Sequence, residues 1–150
     1  RGDGIAVESF AANLLFEPWQ IRTGKGGPFR VFTPFWRACQ RQAEIAEPLP
    51  APASLPSRPD SSVKSVTLDA LNLMPEIGWY DGLARMWQPG EHAAHARLAD
   101  FCDTALADYA DGREVPSVAG TSRLSPHLHF GEISPHQVRH AVLDATNAAP

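Results

Sequence analysis

A chain of 150 residues, 43% of them hydrophobic and four of them tryptophan, has enough apolar surface for one domain core. Its 13 basic and 17 acidic residues leave a net charge of -4, which excludes a surface given over wholly to nucleic acid but not a local basic groove. No apolar run reaches membrane length, no secretory signal pattern is present, and Cys39 and Cys102 lie far apart in helix-like patterns, so the chain reads as a soluble, reducing-compartment protein with two small core cysteines.

In chain order, Ile5, Val7 and Phe10 predict a short buried strand, and the rest of residues 4–16 is ambiguous between strand and loop. Residues 17–30, with Pro18, Gly24, Gly26, Gly27 and Pro28, form a loop. Thr23-Gly24-Lys25-Gly26-Gly27 lacks the Gly-Lys-Ser/Thr order of a nucleotide loop, so Lys25 is a solvated lysine. Thr33-Pro34 predicts a helix start, with Phe32, Phe35, Trp36, Cys39 and Ala43 on a core-facing stripe and Arg37, Gln40, Arg41 and Glu44 opposite. Five prolines between Pro48 and Pro59 make an extended linker between two structural units. Leu68, Leu71, Leu73, Ile77, Trp79 and Tyr80 then suggest a segment packed onto the second unit. The longest helix starts at Gln88-Pro89-Gly90-Glu91, buries Leu98, Phe101, Cys102, Ala105, Leu106 and an inward Tyr109, and closes at Gly112. A final helix from Ser134 shows Val138, Ala141, Val142 and Ala145 on one face.

Between the last two helices lies Gly-Thr-Ser-Arg-Leu-Ser, residues 120–125, followed by the steps Ser125-Pro126 and Ser134-Pro135. Each serine predicts an N-cap with proline at the first helical position, and Ser134 with Gln137 fits a capping box. Hydroxyls and unpaired N–H groups at helix starts suit an anion, above all a phosphate. On capping chemistry alone, a ligand-free capped turn is the commoner meaning. His136 and His140, one turn apart, have metal-ligand spacing, but no cysteine cluster or carboxylate pair accompanies them, and no metal site is assigned. No nucleophile elbow and no Gly-x-Gly-x-x-Gly fingerprint occurs.

The run from Gly120 to Pro135, Gly-Thr-Ser-Arg-Leu-Ser-Pro-His-Leu-His-Phe-Gly-Glu-Ile-Ser-Pro, resembles the flavin-domain signature of the DNA photolyase/cryptochrome family. Val31-Phe32-Thr33-Pro34-Phe35, Pro89-Gly90-Glu91, Tyr109 and Arg113 agree with it in family order, so the resemblance covers nearly the whole chain. It implies a mainly α fold: residues 1–46 as the end of an α/β antenna domain, 47–74 as a proline-rich connector, and 75–150 as the opening helices of an all-α FAD-binding domain. The start at Arg1 without Met and the stop at Pro150 fit an internal piece of a longer protein.

The resemblance implies FAD as cofactor, contacted by Tyr109, Thr121, Ser122, Arg123, Leu124 and Ser125, with Arg113 touching the DNA backbone. Arg123 has an alternative use in bracing the loop, and Arg113 in pairing with Asp111 or Glu114. His127, His129 and Glu132 lie in the signature without an assigned role. Family chemistry is light-driven: reduced FAD, helped by an antenna chromophore of folate or deazaflavin type, donates an electron to a pyrimidine dimer flipped from UV-damaged DNA. The implied protein is a monomeric, cytoplasmic DNA repair lyase whose catalytic residues lie outside this stretch. Two alternatives remain: a cryptochrome-like blue-light photoreceptor that binds FAD without repair, and a non-catalytic helical interaction module. Trp19, Trp36, Trp79 and Trp87 precede the signature and are assigned to packing. Arg113, Arg123 and Arg139 are balanced by Asp111, Glu114 and Glu132, so no positive DNA groove is evident in this stretch.

Overall fold

The structure, a computed structural model, describes residue 4 and residues 6–8, 10–41, 45–55 and 65–148. It is helical: α1 spans Phe32–Arg41, α2 Asp81–Met86, α3 Glu91–Thr104, α4 Tyr109–Gly112, α5 Ser125–His129 and α6 Pro135–Ala148, with 3-10 turns at Asp69–Leu71 and Gly78–Tyr80. No strand occurs among the described residues. The strand expected near the start is therefore corrected: Val7 and Phe10 are exposed, and Ile5 lies outside the described residues. Alternating apolar residues make a strand only where a neighbouring edge takes up their N–H and C=O groups.

The chain divides into two compact units, residues 1–48 with 89–150, and residues 49–88. In the smaller unit, α2 packs on the Gly78–Tyr80 turn. Leu68, Leu71, Leu73, Ile77 and Trp79 are all exposed, contrary to their expected packing. They follow no 3.6 or 2.0 period, so no single face gathers them for burial.

In the larger unit α1 begins at Phe32, one residue before the expected cap at Thr33, because the Phe35 N–H already reaches the Val31 carbonyl at 3.4 Å. Pro34 in this first turn costs nothing, since its missing N–H would have had no helical partner. Cys39 is buried, but Phe32 and Trp36 are exposed and stack on each other with centroids 6.4 Å apart. Ala43 lies outside the described residues. The predicted core-facing stripe is thus open along most of its length.

The long helix expected from 91 to 112 is two helices. The Ala105 and Leu106 N–H groups both turn to the Phe101 carbonyl, at 3.0 and 2.9 Å, and Thr104 Oγ1 donates back to the Asp100 carbonyl at 2.6 Å. Such side-chain competition ends helices that apolar periodicity alone would extend. Gly112 therefore does not cap α3; it lies within the one-turn helix α4. Cys102 stays a thiol, its pKa pushed up by burial and, secondarily, by Asp103; both Cys39 and Cys102 are free.

The core joins Ala94 and Leu98 of α3 to Leu124 and Ile133, with Cys102, Leu128, Val138 and Ala141 packed around them. Across it α3 packs on α6. The start of α6 is fixed as the sequence predicts: the Gln137 N–H donates to Ser134 Oγ at 3.2 Å, and the Ser134 N–H to Gln137 Oε1 at 2.8 Å. Two orphan donors of the helix start are thereby satisfied reciprocally.

Candidate functional site

The loop between α4 and α5 is set by two backbone constraints. Gly120 is buried against Gly112 so closely that a Cβ on Gly120 would stand 2.5 Å from the Gly112 carbonyl carbon. Arg123 takes φ 52°, a left-handed conformation that side chains seldom adopt. The reversal at Arg123 lets Leu124, 2% exposed, enter the core while Thr121 and Arg123 remain at the surface.

Thr121, Ser122 and Arg123 meet Arg97, Asp100, Phe101 and Thr104 of α3 around a cavity of about 130 Å³. Arg97 from α3 and Arg123 from the loop bring guanidinium groups and Thr121 and Ser122 bring hydroxyls, a lining that suits an oxyanion, whereas Asp100 adds an opposing carboxylate and the Thr104 hydroxyl is spent on the Asp100 carbonyl. Ligand pockets for whole cofactors run to roughly 300–1,000 Å³, so this cavity has room for a phosphate-sized group and not for a dinucleotide. The helix α5, five residues long, offers little dipole, so an anion held here would rest on side chains and loop N–H groups.

The other expected contacts stand around this cavity rather than in it. Tyr109, 37% exposed, is not inward; its ring meets Phe101, a cavity residue, edge-on at 5.6 Å. Arg113 lies 5.5 Å above the Tyr109 ring and pairs with Glu114 at 3.0 Å, one of the two partners expected for it. Leu124 can serve a ligand only through its main chain, because its side chain belongs to the core. Ser125 is the first residue of α5 and not its cap. Leu124 takes the cap position, since its carbonyl accepts from the Leu128 N–H at 2.9 Å and so draws the helix start back by one residue. The structure thus gathers Thr121, Ser122 and Arg123, and leaves Tyr109, Arg113 and Ser125 around them.

Sequence reasoning passed over a pair that the structure joins. His127, 1% exposed, places Nδ1 2.6 Å from Glu132 Oε2. The Gly90 N–H also donates to Glu132, and these two bonds, that of His127 first, hold its carboxyl below the ordinary carboxylate range. An ionised carboxylate only accepts, so Nδ1 carries the hydrogen. Glycine makes the meeting possible: Gly131 at φ 71° lets its own N–H reach the Leu128 carbonyl at 3.4 Å and the Glu132 N–H reach the His127 carbonyl at 2.9 Å. This is the Schellman closure of α5, with a hydrogen-bonded polar contact where an apolar one is usual. The signal in the sequence is His-x-x-x-Gly-Glu, which puts His and Glu at the two ends of that closure.

No cluster of three or more His, Cys, Asp or Glu with metal-holding geometry occurs among the described residues. His140 pairs instead with Asp144 at 3.3 Å. Among the described residues no helix is long and apolar enough to cross a membrane. A second cavity, about 390 Å³ and mostly apolar, is lined by Leu15, Phe16, Trp36, Cys39, Gln40, Ile45 and Arg139.

Comparison with known proteins gives three concordant findings. The family profile for DNA photolyase matches residues 1–53. The deoxyribodipyrimidine photo-lyase of Agrobacterium fabrum is 45% identical over 142 residues, and Cryptochrome-1 of Arabidopsis thaliana 39% over 142 residues. These alignments cover 94% and 93% of this chain but 29% and 20% of the relatives. The crystal structure of a class III photolyase from Agrobacterium tumefaciens superposes with a TM-score of 0.79 at 40% identity, covering 99% of this chain and 31% of that one. The chain therefore spans less than a third of the length of each of these proteins.

Proposed function

Since the chain belongs to the DNA photolyase/cryptochrome family, we propose that it serves as the phosphate-gripping segment of a longer blue-light flavoprotein. The observation that carries this reading is the convergence of Thr121, Ser122, Arg123 and Arg97 on one oxyanion-sized cavity, with Leu124 anchoring the loop in the core. The donor set fits the diphosphate of FAD. The cavity volume fits that part alone, so the adenine and the flavin ring rest on residues beyond this stretch.

In this reading Thr121 and Ser122 donate hydroxyl hydrogens to phosphate oxygens, and Arg123 supplies charge. Leu124 contributes main chain, Ser125 borders the same turn, and Tyr109 fills the flank through Phe101. The bound flavin supplies light-driven one-electron chemistry of the kind that splits cyclobutane pyrimidine dimers. Arg113, exposed at the surface, positions a DNA phosphate without reading bases. Residues 1–46 end an antenna domain that carries a folate or deazaflavin chromophore, 47–74 connect, and 75–150 open the FAD domain. The working protein is a cytoplasmic monomer acting on UV-damaged DNA.

The 39% identity to a plant cryptochrome supports a second reading, a photoreceptor that binds FAD without repair. The test uses the full-length protein carrying this segment. It should be yellow and should clear thymine dimers from DNA only under blue or near-ultraviolet light. Flavin without repair favours the photoreceptor. Absence of flavin refutes both and leaves the helical interaction module.

A further inference from the structure

We infer that the His127–Glu132 pair is the positioning element of the hydroxyl loop: it ties the end of α5 to the start of α3 and thereby sets how tightly Thr121, Ser122 and Arg123 hold phosphate. The inference rests on the flavin reading above for its ligand and on geometry alone for its mechanism.

Glu132 accepts from His127 Nδ1 at 2.6 Å and from the Gly90 N–H, so one carboxylate joins two helices. Gly90 is the N-cap of α3 at φ 107°, and α3 carries Arg97, Asp100, Phe101 and Thr104 to the cavity. His127 is two residues after Ser125 in the same short helix, and Leu124, just before it, packs on Ala94 and Leu98 of α3. The loop is therefore held to α3 at two points, an apolar one at Leu124 and a polar one at Glu132. Either alone leaves a pivot; both together fix the orientation of residues 121–125 against the α3 wall.

The imidazole is not explained by packing. Its Nε2 is buried without a hydrogen-bond partner, a cost that an apolar side chain of the same shape would avoid. Its contribution lies in the Nδ1 bond, a charge-assisted one to a partly exposed carboxylate.

The experiment is amide hydrogen exchange on the full-length apoprotein, followed by FAD titration, for wild type, Glu132→Gln and Glu132→Met. Gln keeps an acceptor for both donors; Met keeps the length and loses it. The expected result is that Glu132→Met speeds exchange over residues 121–125 about tenfold and weakens FAD binding about tenfold, while Glu132→Gln recovers most of both. His127→Gln and His127→Leu give the same contrast from the other partner and replace the first pair if Glu132→Met does not fold. Unchanged exchange over 121–125, or equal behaviour of the Gln and Met variants, overturns the inference. Faster exchange in Glu132→Met, in a protein whose wild type binds no flavin, supports the positioning and overturns the flavin reading instead.

Discussion

Replacing Gly120 by Ala should dislocate the loop that Gly112→Ala leaves in place. A methyl on Gly120 would meet the Gly112 carbonyl carbon at 2.5 Å, its oxygen at 2.6 Å and its Cα at 2.8 Å. All three are backbone atoms, so no side chain can rotate away. Restoring an ordinary contact requires α4 and the loop to part by about 1 Å, an overpacking strain worth roughly 1–3 kcal/mol. The movement falls on α4, which Tyr109 begins and Gly112 ends, and on Thr121 beside Gly120. Gly112→Ala differs sharply: its methyl would meet only the Gly120 Cα, at 3.4 Å, and a helical Ala is favoured over Gly by up to about 1 kcal/mol. Chemical denaturation of the full-length protein, with flavin retention measured in parallel, tests the pair. Gly120→Ala should lose stability and flavin, and Gly112→Ala should stay within about 1 kcal/mol of wild type. Equal effects, or a stable flavin-retaining Gly120→Ala, would refute the close-approach argument.

Three further outcomes follow from the same geometry. Leu124→Ala, at a fully buried core position, should cost about 2–5 kcal/mol by denaturation, with the loss of flavin following the loss of structure. Ser134→Ala removes one half of the α6 capping box and should cost about 1 kcal/mol by the same assay, leaving the cavity residues untouched. Glu132 has its folded pKa depressed below the ordinary value of 4.5, so its contribution is present above that pH and is lost as pH falls through the lower folded value. Unfolding measured from about pH 5 down to pH 3 should show wild type losing stability that Glu132→Gln does not lose over the same window.

The features that sequence reading recovers are the local ones. The Ser134–Gln137 box spans four residues and needs nothing but its own helix. The apolar face of α6 repeats at 3.6 residues and is partly buried, with Val138 and Ala141 packed against the core. Failures occur where a distant or competing partner decides. The period of α3 runs on past Thr104, but the Thr104 hydroxyl and the doubly used Phe101 carbonyl stop the helix. Ser125 has cap chemistry, yet the Leu124 carbonyl takes the first helical bond. Ile5 and Val7 have the two-residue spacing of a strand, and no strand forms among the described residues. At the site, Thr121, Ser122 and Arg123 line one cavity, and Arg97 enters it from α3 with no sequence signal. His127 and Glu132 are five apart, a spacing that belongs to no helical face and arises only from the reversal at Gly131.

The most direct test of the phosphate-gripping role compares two ligands on one variant. FAD carries the diphosphate; riboflavin has the same ring without it. Titration of full-length wild type and Ser122→Ala with both should show FAD affinity reduced about tenfold by the substitution and riboflavin affinity unchanged. Equal loss for both ligands would mean that Ser122 serves the fold rather than the phosphate. No loss for either would remove the hydroxyl loop from the flavin site.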